Sequence, residues 1–220
     1  MKMINLMMIR VMTMSVTRPK LCELDWFKGI YKKIYNVLSV ENMLPDPCQI
    51  TVLYPGDVEV DERVMALAWW NDKTIWFRNQ PPDPVTFAHE LIHLIDAKTR
   101  EIEEVYSYNL ARLAVVLALE GIVPRTNIVR LFDVSENDIL RALQRVYRIK
   151  FDSLEEYFKF IGVIPPFIRL EWGENGSIVF VRKQEYNARD VVINTVTELA
   201  SGAEYDRLML DVVLELLDRR

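Results

Sequence analysis

The chain has 220 residues, 50% of them apolar and 27% charged, with a formal charge of −5 and a pI near 5.2. That much apolar side chain excludes global disorder and supplies a core for one large domain or two small ones. The negative balance excludes broad, sequence-independent attraction to nucleic acid, and no apolar run reaches the roughly 18 residues of a membrane span.

In chain order, the opening "MKMINLMMIRVMTMSV" is apolar and rich in Met. Arg10 interrupts it and no small-residue cleavage site follows, so it predicts a first strand rather than a secretory signal. Cys22 and Cys48 show no CxxC spacing; they predict separate core thiols and a reducing, cytoplasmic setting. "ELDWFKGIYKKIYNVLSV" (23–40) repeats apolar residues at helical spacing, through Trp26, Ile30, Ile34 and Val37. "CQITVLYP" (48–55) is a short β-type run bounded by prolines, and "VMALAWW" and "TIWFRN" flank Asn71-Asp72-Lys73 as a hairpin. "QPPDP" (80–84) then stops the chain. Asp83 can cap a helix and Pro84 suits its first position, where an N–H has no helical partner. That helix should run to about Ala97, and a second from Glu101 to Glu120, ended by Gly121 and Pro124.

Beyond it, "NIVRLFDVSENDILRALQRVYRI" predicts two helices, with Ser135 capping the second. "IRLEWGENGSIVFVRK" predicts a hairpin with a Gly-rich turn, and 188–220 predicts one or two helices broken near Gly202. There is no repeat or low-complexity linker. The boundary falls between Gly121 and Thr126, giving a core of 1–121 and an extension of 122–220.

Both histidines of the chain lie in "TFAHELIHLID" (86–96). His89 and His93 are one helical turn apart, so both rings leave the same face and can meet one ion. Glu90 sits beside the first of them, where its carboxylate can take a proton from a zinc-activated water and return it to a leaving amine. The bland alternative is a core helix whose two histidines bond to backbone. It leaves unexplained why the only two fall at this spacing, and buried imidazoles without partners are costly. A hydrolytic zinc site takes three protein ligands and leaves one position open. No third histidine exists, so the third ligand is a carboxylate: Asp96, Glu101, Glu103 or Glu104. Asp96 is too far along the same helix. From Glu104 the 3–4 spacing reads Ser107, Ala111, Ala114 and Ala118, a stripe of small residues that lets two helices approach closely. Glu104 heads that stripe and is the first choice, with Glu103 in reserve. The alternative for the acidic cluster is simple stabilisation of a helix N-terminus.

These residues resemble the ImmA/IrrE-like family of small zinc peptidases. Thr86, Ala88, His89, Glu90, Leu91 and His93 match its T-x-A-H-E-L-x-H motif. Glu104, Ser107, Leu110 and Ala111 fit its E-x-x-A-x-x-F-A pattern, with Ser for Ala and Leu for Phe. The resemblance covers roughly residues 64–115. It implies that the strand "TIWFRN" forms the upper edge of a cleft where an extended peptide adds as a further strand. Trp69, Trp70, Trp76 and Phe77 would line that cleft, or else alternate members of the strand are core. A donor to the substrate carbonyl, besides zinc, could be Tyr106, Tyr108 or Tyr186.

The expected fold is therefore α+β: a small antiparallel sheet packed on the HExxH helix and a glutamate-bearing helix in a zincin-like core, with a C-terminal helical and hairpin extension. The expected function is a zinc metallopeptidase with one Zn2+ per chain, acting on a protein or peptide substrate. His89, His93 and Glu104 bind the metal and Glu90 is base and acid. A zinc-stabilised regulatory protein that cleaves little is the alternative, and the intact Glu90 argues against it. The segment around Arg141 and Arg145 has the outline of a DNA-binding helix pair, but alternating Glu, Asp and Arg favour a packing role.

Overall fold

The computed structural model describes residues 17–39, 43–95, 104–126, 128–162, 168–173, 178–182, 193, 196 and 208–218. Among these residues it is α+β, with six α-helices, a three-stranded mixed sheet and a two-stranded hairpin. The chain divides into two compact units, Met1–Gly121 and Ile122–Arg220. The expected N-terminal strand lies outside the described residues.

In the first unit, helix α1 (Ile30–Leu38) is shorter than the apolar stripe over 23–40 predicts. Gly29 takes a φ of 61° just ahead of it, a backbone that breaks the helix and is costly for residues with a Cβ. A 3-10 turn at Leu21–Glu23 precedes α1 and meets the predicted stretch only at Glu23. Strand β1 (Thr51–Leu53) comes next, then β2 (Ala66–Trp69) and β3 (Thr74–Phe77). β2 and β3 form the expected hairpin, antiparallel with Ala66 opposite Phe77 and Trp69 opposite Thr74. β1 pairs with β3 in parallel, Thr51 opposite Thr74, so the sheet is mixed and not all antiparallel. Residues 54–65 carry the chain past β3 before the hairpin starts, which places β1 on the far side of β3 and in the same direction. The strand order is β1-β3-β2.

The two faces of this sheet bury different clusters, as the strand alternation requires. On one, Leu53, Val58 and Trp76 pack with Val60, Val64, Leu67 and Trp69. On the other, Phe77 meets Trp26 and Phe87 with ring centroids 6.2 Å apart, and Tyr31 meets Phe87 at 5.3 Å. Phe87 belongs to helix α2 (Pro84–Leu94), so aromatic packing seats α2 against β3 and α1. Tyr31 also donates to the Pro82 carbonyl, 2.6 Å away, one residue before the α2 cap.

The cysteine expectation is overturned. Cys22 and Cys48 are joined by a disulfide, with Cα atoms 5.0 Å apart, and both residues are exposed. The 3-10 turn and the approach to β1 run side by side, with Leu21 N donating to Ile50 O and Cys22 N to Pro47 O. That pairing brings together two thiols 26 residues apart. The argument for a reducing compartment falls with it, since such bonds persist where the surroundings oxidise thiols.

Helix α3 (Glu104–Leu119) completes the first unit and buries Leu110, Ala111, Leu113, Ala114, Leu117 and Ala118. Of the acidic candidates, Asp96, Glu101 and Glu103 lie outside the described residues.

The second unit opens with a 3-10 helix at Ile128–Asp133 where the sequence predicts an α-helix. Helix α4 (Glu136–Tyr147) follows, and Ser135 caps it as expected: its side chain accepts from Asp138 N while Asp138 accepts from Ser135 N. α4 buries Ile139, Ala142 and Leu143 and packs with the last helix, α6 (Leu208–Leu217). Arg145 pairs with Glu215 across that contact, and Arg130 donates to the Leu217 carbonyl. Between them lie α5 (Leu154–Phe160), a helix not read from the sequence, and the hairpin of β4 (Ile168–Trp172) and β5 (Ile178–Arg182). No helix among the described residues is long and apolar enough to cross a membrane.

Candidate metal centre

Helix α2 starts where the sequence places its signals. Asp83 accepts from the N–H groups of Val85 and Thr86, and Pro84 occupies the first turn. It ends sooner than predicted, at Leu94 rather than near Ala97. Phe87, Ala88, Leu91, Ile92 and Leu94 are buried, which accounts for an apolar helix packed on the sheet and on α1 and α3. His89 and Glu90 are buried in the same helix, at 7% and 5% exposure. Burying these polar groups opposes folding unless something compensates, so their place in this helix calls for a partner.

For His89 the partner set is visible. His89 Nε2 lies 2.8 Å from Glu104 Oε1 and 2.9 Å from His93 Nε2, and His93 Nε2 lies 3.7 Å from Glu104 Oε2. One donor atom from each of the three residues falls within 4.8 Å of the others, so the cluster could hold a metal ion. Two ligand atoms 2.0–2.1 Å from a tetrahedral zinc stand about 3.3 Å apart, and the observed separations bracket that value. The structure thus brings together His89, His93 and Glu104, and leaves Glu104 exposed toward solvent on the first turn of α3.

Ser107 adds a constraint that the sequence reading missed. Its hydroxyl donates to the Glu104 carbonyl at 2.9 Å and lies 3.4 Å from His89 Nδ1. With its own proton committed, Ser107 Oγ accepts from Nδ1–H. A neutral His89 then presents the Nε2 lone pair to the Glu104 carboxylate. Nε2 and the Glu104 carboxylate, 2.8 Å apart, then turn lone pairs toward one another, the arrangement of a metal ligand set. The signal was present in the sequence as the Ser that replaces Ala, one turn after Glu104.

Burial, with the Glu104 charge as a smaller cause, pushes the Glu90 carboxyl up to about 8. Burial and the neighbouring His89 push His93 down, against an upward pull from Glu104, so the ring favours its neutral, metal-binding form.

The cluster opens onto a cleft of about 600 Å³. Its lining combines Arg63, Val64, Met65 and Ala66 at the start of β2, Thr86, His89 and Glu90 of α2, and Glu104, Tyr108 and Asn109 of α3. The expectation that "TIWFRN" edges this cleft is overturned: β3 is the central strand, and β2 takes the edge. Arg78 N donates to Met65 O, which makes Met65–Arg78 a hydrogen-bonded pair at the end of the ladder. The antiparallel alternation then turns the N–H and C=O groups of Ala66 and Ala68 to the open side. Trp76 and Phe77 are core, Trp69 packs on the Trp76 cluster, and none of the three, nor Trp70, lines the cleft. Of the three tyrosines, Tyr108 lines the cleft, with its ring centroid 6.0 Å from that of His89. The Tyr106 hydroxyl is buried, and Tyr186 lies outside the described residues.

Compared with known proteins, the chain matches no family model, no curated protein and no solved structure.

Proposed function

We propose that this chain is a zinc-dependent metallopeptidase that hydrolyses a peptide bond in a protein or peptide substrate. The observation that carries the reading is the convergence of two imidazoles and a carboxylate, with His89, Glu104 and the buried Glu90 lining an open cleft. His89, His93 and Glu104 would hold the metal, and Ser107 would fix the His89 ring with Nε2 facing it. Zinc, when bound, acidifies a water and polarises a carbonyl.

The chain's own residues supply the rest. Glu90 takes a proton on its carboxylate as water attacks, and returns it to the departing amine nitrogen. Its burial keeps the group protonated without a cation nearby, and a cation in the cluster favours the ionised form that serves as base. The outward-facing amides of Ala66 and Ala68 offer an extended peptide the hydrogen bonds of a fourth strand beside the cluster. The likeness of Thr86, Ala88, His89, Glu90, Leu91 and His93 to the ImmA/IrrE-like motif supports the same reading.

Glu90→Gln tests it. The variant is expected to keep about one zinc per chain and to lose turnover by about 10²- to 10⁴-fold, the range for a positioned proton carrier. A variant that cleaves as fast as the wild type, or a wild-type protein that takes up no zinc on reconstitution, refutes the proposal.

A further inference from the structure

We infer that the cleft selects a substrate with a bulky apolar side chain next to the scissile bond, gripped between Met65 and Tyr108. The inference rests on the peptidase reading of the site and adds the class of residue that it recognises. Met65 and Tyr108 are among the large hydrophobic side chains left exposed in the first unit, at 48% and 47%. Both line the cleft that holds His89, Glu90 and Glu104. Met65 precedes the edge strand β2, and Tyr108 lies one helical turn after Glu104 on α3, so the two reach the cleft from different elements. Val64 and Ala66 continue the apolar surface on the Met65 side.

Two polar groups of the same lining, Arg63 and Thr86, already have partners. Arg63 is bound through Nε and Nη2 to the two carboxylate oxygens of Asp61, each at 3.0 Å, so an acidic side chain entering the cleft competes with Asp61 for it. The Thr86 hydroxyl donates to Asp83 at the helix cap. An acidic side chain entering beside the cluster therefore exchanges water for Met65 and Tyr108 with no free counter-charge from Arg63, and a lysine loses the hydration of its ammonium against the same apolar pair. An apolar one removes both exposed hydrophobic surfaces from water together with its own. Met65 is unbranched and adaptable, which suits a wall that closes on more than one apolar shape.

The test uses the full chain loaded with zinc and a matched set of peptide hydroxamates, identical but for one side chain: Leu, Phe, Asp or Lys. Binding is measured by calorimetry for the wild type, Met65→Glu and Tyr108→Ala, with zinc content determined for each, and the wild type is assayed for cleavage of the parent peptides. The Leu and Phe compounds are expected to bind the wild type at least about tenfold tighter than the Asp and Lys ones, the discrimination that an apolar pocket supplies. Both variants are expected to keep zinc and to lose most of that ratio. Equal binding of all four compounds by the wild type, or an unchanged ratio in both zinc-loaded variants, overturns the inference. Selective binding without cleavage of any peptide refutes the peptidase reading and leaves the apolar subsite standing. A protein that neither takes up zinc nor binds a hydroxamate refutes both.

Discussion

Ser107 decides how His89 can be used. Its hydroxyl is tied to the Glu104 carbonyl and faces Nδ1, so the other ring nitrogen is left for the cluster. Ser107→Ala is expected to keep the fold, because the position is small and fully buried, and to weaken zinc binding by about 10- to 100-fold, the usual effect of removing a ligand's supporting hydrogen bond. Competition with a chelator of known affinity measures it. Glu90 governs a second expectation, in the metal-free protein. Its carboxyl is pushed up to about 8 in the fold, well above its ordinary value, so the folded state holds a proton that the unfolded state releases. Stability from this group is present at low pH and is lost as pH rises toward 8. His93 acts in the opposite sense below its ordinary value near 6.5, because its folded form is depressed and binds fewer protons. The clean window is therefore from about pH 6.5 to 8, where the melting temperature of metal-free wild type should fall while that of metal-free Glu90→Gln stays flat. A flat wild-type profile there would show that Glu90 is not held protonated.

At the scale of elements, much of what positions the cluster was legible. The Asp83-Pro84 start of α2, the β2–β3 hairpin and the Ser135 cap of α4 are local signals, set by residues within four positions of one another. The small-residue stripe of α3 also read correctly as a buried face headed by Glu104, because helical periodicity needs no knowledge of the partner. What sequence spacing did not show depends on contacts between distant segments. The parallel pairing of β1 with β3 moved the cleft edge from "TIWFRN" to β2, and no local pattern encodes strand order. The disulfide is the same kind of case: Cys22 and Cys48 meet only because the 3-10 turn pairs with the approach to β1. It closes a loop that contains α1 and its aromatic contacts with α2. For a separation of 26 residues, chain entropy gives about 3 kcal/mol of stabilisation, so reduction should lower the melting temperature by several degrees, read by thermal scans with and without a thiol reductant. No change on reduction would mean that the backbone pairing alone holds the loop.

The whole molecule consists of two compact units, and every residue assigned to the metal cluster lies in Met1–Gly121. Residues 1–121 expressed alone are expected to fold and bind zinc with the same one-to-one stoichiometry as the full chain. Calorimetric titration of both proteins checks this, and loss of binding in the shorter one would show that the site needs residues beyond Gly121. The second unit is organised around α4 and α6, with Arg145 and Arg130 both committed to α6.

Histidine is so scarce here that the chain carries its own reporter. The only two imidazoles stand edge to face, with centroids 4.5 Å apart inside the cluster. Every histidine resonance in an NMR spectrum of the unlabelled-tag-free chain therefore comes from this one place. Ion uptake, proton movement and inhibitor contact can each be followed there through two ring signals, with no background from the rest of the molecule.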